Sequence, residues 1–97
     1  MKRWQIERWR MWEQRACRLV GMEQVGGPGR VDCQDRTRRR VAEVKVGVIT
    51  KGVIRRTLRK RQYRNADEVL MCTKTRFSER AKAISTPTKW RACRRVK

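Results

Sequence analysis

From about residue 2 to residue 22, apolar side chains return every third or fourth position, with Trp9, Trp12, Ala16, Leu19 and Val20 on one side and Arg and Glu opposite. That period predicts a half-buried helix. Gly26-Gly27-Pro28-Gly29 then forbids regular structure and predicts a loop. Two short strands follow, at about 30–34 and 40–46, joined by a charged turn at 35–39 and closed by Gly47. A basic helix is expected from about 50 to 64, with Val53, Ile54 and Leu58 as its apolar stripe. The run around Val69-Leu70-Met71-Cys72 predicts a strand over 68–74 buried on both faces. Ser78, ahead of Glu79 and Arg80, suits the N-cap of a helix with Ala81, Ala83 and Ile84 as its apolar positions, and Pro87 ends that region. Residues 90–96 complete the chain as a candidate edge strand. The expected architecture is α/β: one domain over residues 1–97, a small mixed sheet sandwiched by helices.

The hairpin at 30–46 constrains the picture further. Antiparallel pairing across the turn 36–39 sets Cys33 opposite Ala42, Val31 opposite Val44 and Asp32 opposite Glu43. Strand side chains alternate between faces, so Val31, Cys33, Ala42 and Val44 fall on one apolar side, and Asp32, Glu43 and Lys45 fall on the other. A slip by one residue mixes the two sets. Two carboxylates directly opposite one another repel. A divalent cation such as Mg²⁺, which takes hard oxygen ligands, removes the conflict. Lys45 then stands where it can favour a hydroxide or steady a pentacovalent phosphate. The same three residues also suit a solvated strand face on which Lys45 neutralises both acids, and the residue pattern leaves both readings open.

Charge points outward to a partner. Twenty-eight Lys and Arg against nine Asp and Glu give a net charge of +19 with no histidine. Solubility needs only a few units, whereas a polyanion neutralises such a density, so a nucleic-acid partner is expected. No helix pairs a wholly apolar face with low charge, which disfavours a membrane surface. The first 25 residues are too charged for a signal peptide, and no apolar run is long enough to span a bilayer, so a cytoplasmic, intracellular protein is expected. The four cysteines, Cys17, Cys33, Cys72 and Cys93, contain no CxxC and have no histidine to complete a zinc set. Apolar neighbours make buried thiols the default; a disulfide stays open, with no spacing that selects a pairing.

Candidate phosphate contacts cluster in three places. Lys51, Arg55, Arg56, Arg59, Lys60, Arg61 and Arg64 fill the arc of the second helix, without an acid three or four residues away inside it. Arg36, Arg38, Arg39 and Arg40 surround the hairpin turn, and Lys89, Arg91, Arg94, Arg95 and Lys97 follow at the end of the chain. Trp4, Trp9 and Trp12 are candidates for base stacking, although the helical spacing of the last two suits core packing better.

Val31-Asp32, ten residues, then Glu43-Val44-Lys45 resembles the motif of the PD-(D/E)xK nuclease superfamily, which includes many restriction enzymes and the archaeal Holliday-junction resolvases. Val31 stands where the superfamily's proline would be. The Gly-Pro-Gly ahead of the aspartate and the phrase Val41-Ala42-Glu43-Val44-Lys45-Val46-Gly47 are similar to those branches as well, and the stretches 66–69 and 73–78 resemble restriction relatives. The resemblance implies a restriction endonuclease-like core of order α-β-β-β-α-β-α, with Mg²⁺ (or Mn²⁺) held by Asp32, Glu43 and the backbone carbonyl of Val44. It implies Lys45 as assistant to the attacking water, and a first-helix glutamate reaching the site. Glu13, beside the buried stripe, fits that role; Glu7 is the other candidate, better explained as a surface partner of Arg3 or Arg10. Gln62 would match a glutamine that some relatives carry on the helix after the lysine.

The expectation is therefore a Mg²⁺-dependent endodeoxyribonuclease, structure-selective or non-specific, acting on DNA with no small-molecule cofactor. A homodimer is expected, since cutting two strands takes two sites. The alternative is a basic DNA- or RNA-binding protein, including an inactive protein of the same fold; a ribosome-associated protein would explain the charge but not the acids.

Overall fold

In a computed structural model, residues 2–37, 39–84 and 89–93 are described. Arg38, the region of Pro87, and Arg94, Arg95 and Lys97 of the basic tail lie outside them. The elements are α1 (Arg3–Leu19), β1 (Glu23–Gln24), β2 (Cys33–Gln34), β3 (Arg40–Lys45), α2 (Lys51–Arg59), α3 (Arg61–Arg64), β4 (Glu68–Thr73), α4 (Glu79–Lys82) and β5 (Trp90–Ala92). The five strands form one mixed sheet in sequence order: β1, β2 and β3 run antiparallel, while β3, β4 and β5 run parallel.

Helix α1 ends earlier than its apolar pattern because of Gly21, whose φ of +74° turns the chain. The Gly21 and Met22 N–H groups donate back to the carbonyls of Arg18 and Cys17 at 3.0 and 2.8 Å, closing the last turn as a Schellman motif. Leu19, expected in the stripe, is left exposed; Trp12, Glu13, Ala16 and Cys17 form the buried side. The basic helix is two helices. Lys60 adopts ψ 139° between α2 and α3. A continuous helix would carry the Ile54–Leu58 stripe on to Arg61 and Gln62; the break instead turns Tyr63 into the interior, where it is fully buried. Thr50 caps α2 by accepting from the Val53 N–H, and Ser78 caps α4 by accepting from the Ala81 N–H. Ala81 is buried, Ile84 half-buried and Ala83 exposed.

The hairpin register is the one expected from the apolar pattern, with Cys33 opposite Ala42 and Gln34 opposite Val41. The faces differ from expectation. Helix α1 covers Cys33, Ala42, Val44, Leu70 and Cys72, and the α2–α4 side covers Val41, Val69 and Met71. Val31 belongs to this second cluster, opposite Cys33's side, because the chain bends between the two residues instead of continuing as strand. Strand β3 is thus buried on both faces, and Glu43 is no member of a solvated one. The default of buried thiols gives way to two disulfides, Cys17–Cys33 between α1 and β2 and Cys72–Cys93 between β4 and the residue after β5. Among the described residues, no helix is long and apolar enough to cross a membrane.

Candidate active site

The site arises where β2 leaves β3. Beyond Cys33, residues 31 and 32 stay with the β1 side: the Val25 N–H donates to the Asp32 carbonyl at 2.8 Å and the Gly26 N–H to the Val31 carbonyl at 3.0 Å. Strand β3 runs on without that neighbour. Its Val44 N–H, which would otherwise look for a β2 carbonyl, donates to Asp32 Oδ2 at 2.7 Å. In an extended strand the N–H and C=O of one residue point to the same edge, so the Val44 carbonyl also turns toward Asp32. The fork is held by the glycine loop, in which Gly26, Gly27 and Gly29 take positive φ. Gly26 lies against Glu13, whose Oε1 would stand 3.7 Å from a Cβ added there.

Three carboxylates converge on this fork. Glu13 reaches it from α1 and Glu43 from β3, and they are only 7% and 6% exposed. Burial, and then the charge of Glu43, pushes the Asp32 carboxyl up to about 7; the Val44 N–H opposes the rise, Glu13 adds to it and Lys45 lessens it. Glu13 is also raised, first by burial and then by Glu43, against hydrogen bonding from Gln24 and the charge of Arg10. Asp32 thus feels both of the other acids, and Glu13 feels Glu43. Glu43 is steadied on both oxygens: Lys45 Nζ lies 3.3 Å from Oε1, and the Tyr63 hydroxyl donates to Oε2. Burial and the neighbouring Glu43 raise the Tyr63 phenol well above its usual range, which keeps it a donor.

Asp32, Glu43, Lys45, Val44 and Glu13, five residues singled out from sequence, therefore meet. Glu13 lines an open cleft of about 440 Å³ with Trp9, Arg10, Gln24 and Gly26. Gln62 does not join them; it lines a different cleft with Arg30, Val31, Gln34 and Val41. Glu7 pairs with Arg3 at 3.6 Å on the surface. Tyr63 was not anticipated, and its only sequence signal is an aromatic ring amid the cations of 59–64. The donors offered are hard oxygens, of the kind Mg²⁺ and Mn²⁺ take. Among the described residues, no three His, Cys, Asp or Glu side chains form a ready-made metal cage. Mg²⁺ does not need one, since it commonly uses one or two carboxylates and completes its shell with water and phosphate.

On α2, α3 and the hairpin turn, Lys51, Arg55, Arg56, Arg59, Lys60, Arg61 and Arg64 are all exposed, as are Arg36 and Arg39. Among the described residues none of these nine makes an ion pair. Two other candidates do: Arg40 and Arg91 both hold Glu68, at 3.2 and 3.6 Å. Compared with protein-family models, curated proteins and solved structures, the chain matches none.

Proposed function

We propose that this protein is a Mg²⁺-dependent endodeoxyribonuclease of the PD-(D/E)xK kind, with a restriction endonuclease-like core. The convergence of Asp32, Glu13 and Glu43 beside Lys45 carries the reading. Three mutually repelling, poorly hydrated acids lower stability unless they serve something. The α-β-β-β-α-β-α sequence of elements, interrupted only by the α2–α3 break and extended by β5, supports the same core.

In this reading Asp32, Glu43 and the Val44 carbonyl hold the cation, with Glu13 completing the acidic wall from α1. Bound there, Mg²⁺ supplies Lewis acidity that lowers the pKa of water and neutralises phosphate charge. Water adds to phosphorus and gives up a proton to solvent, the bond to one bridging oxygen breaks, and that oxygen takes a proton from solvent to leave as a hydroxyl. Lys45 orients that water and steadies the crowded phosphate. Tyr63 fixes the Glu43 carboxylate through its hydroxyl. The exposed cations of α2 and α3 grip the sugar–phosphate backbone, a contact that positions a strand without reading its bases. A homodimer would present two such sites to two strands.

One observation favours a second reading, a basic DNA- or RNA-binding protein without hydrolytic activity: both Glu43 oxygens already have partners inside the protein. Incubating supercoiled, linear, branched and single-stranded DNA with Mg²⁺, with EDTA, and with Glu43→Ala separates the two. The nuclease cuts only in the first condition. Cutting that persists with EDTA and with the variant rejects the mechanism, and binding without cutting in any condition selects the second reading.

A further inference from the structure

The tryptophans of α1 that the hydrolytic site does not use form a cavity of their own. Trp4, Trp9 and Trp12 line a recess of about 220 Å³ with Arg8, Val46 and Lys74. Trp4 is 52% exposed at its mouth. Trp9 and Trp12 form its aromatic wall, with ring centroids 5.3 Å apart. Cations hold its rim: the Arg8 guanidinium lies 5.2 Å from the Trp4 ring centre, and Lys74 Nζ 5.9 Å from that of Trp12. No acid lines it. Trp12 is only 4% exposed, and its buried indole N–H has no acceptor among the described residues. That nitrogen has essentially no contact with solvent, so Trp12 serves the recess through its ring and not through its N–H.

We infer that this recess receives an unpaired nucleobase of the strand that the protein cuts. The inference rests on the nuclease reading and narrows its substrate to nucleic acid with exposed bases: single strands, flaps or branched junctions. Aromatic rings stack on any base, and flanking cations take the adjoining phosphates. Position supports it as well, because Trp9 lines both this recess and the cleft that Glu13 opens into. A strand lying through the Glu13 cleft therefore brings a neighbouring base to the tryptophans. A base kept in a duplex cannot enter, since its faces are already stacked.

The test measures, in EDTA to prevent cutting, the affinity of the full chain for a short oligothymidylate and for an abasic phosphodiester strand of equal length. Tryptophan fluorescence reports the binding. Stacking of one base predicts that oligothymidylate binds about tenfold or more tighter than the abasic strand and quenches the fluorescence. Trp4→Ala, a change at an exposed position, should erase that preference, and Trp4→Phe should restore most of it. Equal binding of both strands by the unaltered protein overturns the recess and leaves the backbone grip standing, as does a preference that survives Trp4→Ala. Binding of neither strand overturns the nucleic-acid reading itself.

Discussion

Replacing Asp32 with asparagine should make the metal-free protein more stable, and only above acid pH. In the folded chain the Asp32 carboxyl is pushed from 3.8 up to about 7 by burial and by Glu43. The folded state therefore holds a proton that the unfolded state has released between those values. Stability is unpenalised below pH 3.8, falls as pH rises through the window, and carries the full cost above about 7. At about 1.36 kcal/mol per pH unit, the cost reaches about 4 kcal/mol, an upper value because water reaches part of the group. Asparagine imitates the protonated acid at every pH, and its carbonyl can still accept the Val44 N–H that Asp32 accepts at 2.7 Å. Urea denaturation with EDTA should thus give equal stabilities for the two proteins near pH 4. At pH 8 the variant should lead by up to about 4 kcal/mol, or about 20 °C in melting temperature for a domain of this size. Saturating Mg²⁺ should reverse the order, since it stabilises the unaltered protein by mass action and has lost a ligand in the variant. A lead of the same size at both pH values, or no lead at pH 8, refutes the placement of Asp32 among buried acids.

Three further outcomes follow from the same geometry. Tyr63→Phe removes the hydroxyl from Glu43 and should cost about 1.5–3 kcal/mol in chemical denaturation, the worth of a hydrogen bond to a charged group, while lowering the cleavage rate more than DNA affinity. Because Cys17–Cys33 and Cys72–Cys93 close loops spanning 16 and 21 residues, reduction should lower stability by about 3 kcal/mol per bridge; thiol titration of the folded, unreduced protein should find no free thiol. Changing Arg55, Arg56 and Arg59 together to alanine should weaken DNA binding regardless of sequence and flatten the slope of log affinity against log salt by about 2 to 3.

The fold was legible where a periodic pattern ran long enough to be read. The helical repeat at the start, the doubly buried β4, the Ser78 cap and the β2–β3 register all follow from residue spacing. Strand β1 did not, since two residues, Glu23 and Gln24, cannot display an alternation. Nor did the break at Lys60, where local sequence favours helix throughout and burial of Tyr63 accompanies a change of backbone direction. The closeness of Asp32 to Glu43 was expected for a partly mistaken reason. They were expected across a regular hairpin from each other, yet β2 departs before reaching Asp32, and the carboxylate itself takes the place of the missing strand partner. That departure depends on hydrogen bonds to Val25 and Gly26, a long-range preference that no local pattern encodes. The disulfides illustrate the same limit: each joins residues whose approach is made by the sheet, not by their spacing.

In the proposed nuclease, one divalent cation belongs between Asp32, Glu43 and the Val44 carbonyl. Electron paramagnetic resonance of Mn²⁺ titrated into the protein at pH 8 reads this directly, because the signal of free Mn²⁺ disappears as the ion binds. One ion per chain should be taken up, displaced by excess Mg²⁺, and lost in both Asp32→Asn and Glu43→Gln. Free Mn²⁺ from the first addition, or undiminished uptake by the two variants, contradicts it.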